Sequence, residues 1–303
     1  MMTFRKLFLV GFVLLLTIVA GCGDKTSADG GQVFTAASAK NTDSKINVQL
    51  LKLLVEDRTD HEIDIVEDLP ASPQIFAGFE RDEFDFASLF SGEVYNNYFD
   101  DVEYSTDPDK TLKQAQKFFG EEYDIKWYDP LGYVNNYSIA AKRKFLQKND
   151  VNTLTELGEY ADSLTLGTDN AWIERDNDGY KGFKKTYGYE FDDARGMDVA
   201  LMYEGIDTGE LDVVTVYTVD PQLKEYDLKV LEDTKNFFPP YEASLVAAND
   251  VIDEYGEIND ILQSLVDVVS TEEMTNLIYQ VDIEKREVME VAKEFLQEKG
   301  MLD

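Results

Sequence analysis

Residues 32–69, QVFTAASAKNTDSKINVQLLKLLVEDRTDHEIDIVEDL, decide the fold. The apolar opening QVFTA reads as a strand. KINVQLLKLLVED (45–57) then sets Ile46, Leu50, Leu51 and Leu54 at helical spacing, and HEIDIVEDL (61–69) reads as a second strand. Strand, helix, strand in that order predicts a parallel sheet with right-handed crossovers. The alternation recurs. A helix over 109–119 carries Leu112, Ala115, Phe118 and Phe119 on one face and is closed by Gly120, and a strand follows near YDIKWY (123–128). Thr153 with Glu156 three residues on has capping-box spacing; LTLGT, an irregular loop, MDVALMYEGID and the strand LDVVTVYT come next. The C-terminal part turns helical. Ser270 and Glu273 form another capping-box pattern, Met274, Leu277, Ile278 and Val281 line one face, and Val288, Val291, Ala292, Phe295 and Leu296 line a later one before Gly300. The whole supports an α/β chain of two lobes over a bundle or a sandwich.

Ahead of this, Arg5 and Lys6 are followed by LFLVGFVLLLTIVAGC (7–22), an apolar run of signal-peptide length that ends in small residues and the chain's single cysteine, Cys22. It is too short and too abruptly ended to favour a membrane-spanning helix. Val19, Ala20, Gly21 and Cys22 resemble the bacterial lipobox, in which a peptidase cuts before the cysteine and the thiol carries a lipid. Residues 1–21 are therefore read as a signal peptide, Cys22 as the lipid anchor and 22–31 as a small, polar tether, an ordinary signal peptide being the alternative. With Cys22 consumed, no thiol remains for disulfides or metal binding.

The formal net charge is −33, from 61 acids against 28 bases. Such a chain repels nucleic acid, and its acidity is read as a solvated surface. The single histidine, His61, has no cysteine or second histidine to share a metal and is expected at the surface. No G-x-S-x-G, H-E-x-x-H or P-loop sequence occurs, so hydrolase, zinc-protease and ATP-binding readings lack a motif. ERDNDGYKGFKK (174–185) sets Glu174, Asp176 and Asp178 at alternate positions before Gly179, as in a calcium loop, but Lys185 stands where a bidentate acid should close the shell. A turn built on Asp and Gly is the plainer reading.

Aromatic residues make up 12% of the chain, with 17 tyrosines and 18 phenylalanines. Several sit beside turn or strand-end signals: Phe90, Tyr137, Tyr217 and Tyr241. Electron-rich ring faces can hold a quaternary ammonium, which offers no hydrogen-bond donor, although most such rings are core.

Five stretches, in order, carry a family resemblance: YDIKWYDPLGYVNNYSIA, NTLTELGEYA, RDNDGYKGFKKTYGYEF, MDVALMYEGIDTGELDVVTVYTVD and LKVLEDTKNFFPPYEA. With the lipobox, they make the chain resemble the extracellular binding proteins of osmoprotectant ABC transporters, the glycine betaine, carnitine and choline binders. The resemblance implies a non-catalytic protein without cofactor, in the periplasmic-binding-protein fold of type II, a Venus-flytrap of two α/β lobes joined by two crossover segments. Lobe 1 would comprise residues 32–133 plus 239–303, and lobe 2 residues 134–238. The implied partners are a quaternary ammonium ligand and the membrane permease and ATPase subunits of a transporter, with the membrane itself met only through the lipid.

The family's cage of rings falls by position on Tyr137, Tyr217 and Tyr241. A fourth tyrosine, at the head of a stretch close to EYTGT, becomes Phe90 in LFSGE. Asn135 joins the site from the NNY stretch, and Arg175 matches an arginine that in some members meets a ligand carboxylate. Glu93 replaces the closing threonine of EYTGT. An acid there would repel a carboxylate and accept a hydrogen bond from a hydroxyl, which favours choline over glycine betaine, although Arg175 could serve a zwitterion or pair with Glu93. Where the family has a stretch like K-x-F-T-E-Q, QVFTAA places Gln32, Ala36 and Ala37, which would lose polar groups for a carboxylate. The double proline of NFFPPY (236–241) would stiffen the second crossover and present Tyr241 to the cleft. A receptor for a bulkier betaine, or a surface protein reusing the scaffold, are the other readings.

Overall fold

The computed structural model describes residues 30–96, 98–174 and 179–302. The quoted opening folds as read: β1 (Val33–Ala39), α1 (Thr42–Arg58) and β2 (Glu62–Leu69), with β1 and β2 parallel and Val33 opposite Glu62. After α2 (Ser72–Phe79), β3 (Phe86–Phe90) joins the other side of β1, also parallel. A long α3 (Pro108–Tyr123) leads to β4 (Ile125–Trp127).

The chain then crosses to a second sheet made of β5 (Tyr137–Lys142), β6 (Thr165–Asp169), β7 (Asp193–Met197), β8 (Val213–Tyr217) and β9 (Leu228–Val230), and returns as β10 (Ala243–Ala248). The two sheets are ordered β2-β1-β3-β10-β4 and β7-β6-β8-β5-β9. Each is covered on both faces by apolar side chains. Along β1, Ala36 and Ala37 point into different clusters, one beneath α1 and the C-terminal helices, the other beneath α2 and α3. The second sheet is likewise packed on both faces.

The expected parallel sheet is only partly found, because both sheets are mixed. β10 runs antiparallel to β3 and β4, and β5 runs antiparallel to β8 and β9. β1, β3 and β8 run toward the cleft between the sheets and end there. β5 and β10 are entered from the crossovers, so they start at the cleft and must run away from it.

Both capping boxes form. The Glu156 amide donates to Thr153 Oγ1 at 3.1 Å while the Glu156 carboxylate accepts from the Thr153 amide at 3.0 Å. Ser270 and Glu273 repeat the exchange. Gly120 does not close its helix: α3 runs on to Tyr123 and ends at Asp124, whose φ of 53° is left-handed. Glycine is used inside the helix because a Cβ there would lie 3.1 Å from the Ile125 carbonyl oxygen. His61 is only partly at the surface, with Nε2 3.3 Å from the exposed Glu257 carboxylate. Its ring packs edge-on against Phe34 and Tyr255, and its Nδ1 accepts from the Gln32 amide at 2.9 Å.

In NFFPPY, Phe237 and Phe238 belong to the core of the second lobe, with Phe238 stacked on Trp172 and its amide held by Asp233 at 2.8 Å. Burying a ring of that size stabilises by about 2–3 kcal/mol. The second crossover is therefore fastened to the second lobe before Pro239 and Pro240 carry it back.

Candidate functional site

The crossovers are joined to each other. The Asn135 amide donates to the Tyr241 carbonyl at 2.8 Å, the Tyr241 amide donates to Asn136 Oδ1 at 2.6 Å, and Val134 bridges to Glu242. Above them opens a cleft of about 710 Å³ between the lobes. Phe90, Glu93, Asn135, Tyr217 and Tyr241 all line it. The ends of β3 and β8, the helical turn after β3 and the two crossovers thus bring together five of the residues singled out in the sequence.

Tyr137 is placed differently. It is not among the residues lining the cleft; it pairs in register with Tyr217, ring centroids 4.4 Å apart, and props that ring. Tyr241 lies partly buried with its hydroxyl donating to Asn96 Oδ1 at 3.3 Å. Its ring position depends on Gly92, where an added Cβ would come within 2.6 Å of Tyr241 Cδ2 and Cε2 and of the Pro240 carbonyl. Arg175 and Cys22 lie outside the described residues, as do residues 175–178 of the calcium-like stretch.

Glu93 is only 5% exposed. One oxygen accepts a long 3.4 Å bond from the Phe90 amide, while Oε2 is buried with no hydrogen-bond partner among the described residues. Burial pushes its carboxyl up to about 7. The nearby Ser72 hydroxyl and the Phe90 amide, both uncharged, oppose this only in part.

Two further acids line the cleft that sequence reasoning missed, the buried Asp43 and the half-buried Asp220. Burial raises both above the usual carboxylate range, and each is held by neutral donors: Asp43 by Asn41, Asn135, the Ser44 amide and Tyr133, Asp220 by the Tyr203 hydroxyl and the Tyr217 amide. Their signals were present. Asn41, Thr42 and Asp43 are N-cap residue types just before the helical run, and Asp220-Pro221 is a turn dipeptide, but neither shows which way a side chain faces.

Gln32, Ala36 and Ala37 do not line the cleft. The alanines are fully buried inside β1, and Lys40, Asn41, Thr42 and Asp43 occupy the strand-to-helix turn instead. The alanines therefore carry no information about a ligand carboxylate. Among the described residues, the charged groups of the cleft are Lys40 against Asp43, Glu93, Asp220 and Asp282.

Two α/β lobes with a ring-lined, acidic cleft at their crossovers define a solute-binding protein. The family described as the substrate binding domain of ABC-type glycine betaine transport systems matches residues 35–298, and the chain belongs to it. It is 32% identical over 263 residues to the carnitine transport binding protein of Listeria monocytogenes, covering 86% of this chain and 85% of that one. It is also 32% identical over 221 residues to an ergothioneine transport permease and binding protein of Helicobacter pylori, covering 73% of this chain but 39% of that longer protein. A solved glycine betaine/carnitine/choline ABC transporter structure superposes with a TM-score of 0.84 at 30% identity, over 89% of this chain and all of that one. Among the described residues no helix is long and apolar enough to cross a membrane.

Proposed function

We propose that the chain captures a quaternary ammonium compound, choline before glycine betaine or carnitine, and hands it to the permease and ATPase subunits of an ABC importer for osmoprotectant uptake. Phe90, Tyr217 and Tyr241 form the walls around the cation, with Tyr137 behind Tyr217. Each ring contributes about 0.5–2 kcal/mol, more as the cation is desolvated. The lobes are assigned as residues 32–133 plus 239–303 and residues 134–238, and Cys22 carries the lipid that keeps the protein at the outer face of the cell membrane.

The observation that carries the choline preference is Glu93: a buried carboxyl beside Phe90 whose Oε2 makes no hydrogen bond and whose acting neighbours are uncharged. A monocation neutralises it and a hydroxyl can donate to it, whereas a carboxylate would be repelled. Titration calorimetry with choline, tetramethylammonium, glycine betaine and carnitine tests this. Choline should bind tighter than glycine betaine. The reverse order removes the role given to Glu93, and no heat with any of the four removes the ring cage.

A second reading, a longer zwitterion, is favoured by the cleft volume of about 710 Å³ and by the exposed Lys40 at its edge. Carnitine binding that is lost in Lys40→Ala while choline binding stays would support it.

A further inference from the structure

Asp43 is 2% exposed and lies in the first turn of α1, where the helix meets the cleft. Its Oδ1 accepts from the Ser44 amide at 3.0 Å and from the Asn41 side chain. Its Oδ2 accepts from Asn135 Nδ2 at 2.9 Å and from the Tyr133 hydroxyl at 3.4 Å. Tyr133 is in turn held by Asn47 Nδ2 at 2.6 Å. One carboxylate thus fastens the start of α1 to the first crossover.

The consequence falls on Asn135. A side-chain amide can present either a donor or an acceptor, and its neighbours decide which. An ionised carboxylate only accepts, so Asp43 fixes Nδ2 toward itself and turns Oδ1 the other way. Oδ1 is buried with no hydrogen-bond partner among the described residues, like Glu93 Oε2. Both residues line the same cleft. We infer that Asp43 is a positioning residue for specificity: by orienting Asn135 it sets a second buried, unpaired acceptor in the cleft beside Glu93 Oε2, and so selects quaternary ammonium ligands that carry a hydrogen-bond donor. This rests on the cation-binding reading above.

The test compares choline with tetramethylammonium, which has the cation and lacks the hydroxyl, by calorimetry on the full chain. In Asp43→Ala the preference for choline over tetramethylammonium should fall about tenfold, the size of one hydrogen bond. An equal loss for both cations overturns the inference, since removing a charge alone would do that; so does no loss. Asn135→Leu should lower the ratio by the same factor, and Asp43→Ala added to it should change the ratio no further. If Asp43→Ala does not fold, an unchanged ratio in Asn135→Leu overturns the inference by itself. Failure of the unaltered chain to bind either choline or tetramethylammonium is a different outcome: it removes the cation-binding reading, and this inference with it.

Discussion

Tyr137 and Tyr217 stand directly opposite each other on neighbouring antiparallel strands, with ring centroids 4.4 Å apart and planes tilted by 41°. Tyr137 opens β5 as the chain leaves the first crossover, and Tyr217 closes β8 as it arrives at the cleft, so the pair exists because β5 is antiparallel. Tyr217 is 41% exposed, and its neighbour limits where the ring can point. Such a pair contributes about 0.5–1.5 kcal/mol beyond its buried area. Tyr217→Ala should weaken choline and tetramethylammonium alike, by about tenfold. Tyr137→Ala should weaken them less, and the double variant should fall short of the summed losses because Tyr137 acts through Tyr217. Strictly additive losses in the calorimetric cycle would show two independent walls.

Glu93 makes both binding and stability depend on pH. Its carboxyl is raised by burial to about 7, so the folded state holds a proton that the unfolded state releases nearer the ordinary carboxylate range. Its contribution to stability is therefore complete at low pH and is lost as pH rises through about 7. A cation prefers the ionised form. Choline affinity should strengthen by up to about tenfold per pH unit on approaching pH 7 from below and level off above it. Glu93→Gln should flatten that profile, weaken choline, and raise the melting temperature at pH 8 relative to the unaltered chain. A choline profile that is the same in Glu93→Gln would assign the dependence to another group.

Asn136 connects three elements. Its Oδ1 accepts the Tyr241 amide at 2.6 Å, its amide donates to Thr218 Oγ1 at 3.1 Å, and its carbonyl accepts the Thr218 amide at 3.0 Å. Removing the side chain in Asn136→Ala leaves a partly buried amide unpaired, a loss of about 1–3 kcal/mol in chemical denaturation. Because the same bond sets the height of Tyr241, binding of every quaternary ammonium ligand should weaken together, with their order unchanged.

Much of this was legible in the sequence because it is local. The helical spacing of Ile46, Leu50, Leu51 and Leu54 and the two capping boxes depend on residues within a few positions of one another. Gly120 misled because glycine marks helix ends and close packing alike, and only the approach of Ile125 tells them apart. Strand direction was misjudged because it is set by where a crossover enters a sheet, which β-α-β order does not record. His61 was placed outside for a similar reason: Phe34 and Tyr255 that enclose it are far away in the chain. Phe90, Tyr217, Tyr241 and Glu93 were found through family resemblance, whereas Asp43 and Asp220 were missed because among 61 acids nothing in the sequence distinguishes a buried carboxylate from a solvated one.

Gly92 gives the cleanest separation of shape from charge in this cleft. It lies between Phe90 and Glu93, and its missing side chain is the space that the Tyr241 ring and the Pro240 carbonyl occupy, since a Cβ would approach each to 2.6 Å. The double proline and the core-buried Phe238 leave the second crossover little freedom to retreat. Gly92→Ala should therefore displace the ring rather than the backbone, destabilising the fold by about 1–3 kcal/mol. Choline and tetramethylammonium should weaken by the same factor, because the lost element is a wall common to both, and the pH profile set by Glu93 should keep its midpoint. A variant that loses stability yet binds both cations unchanged would place Tyr241 outside the cage.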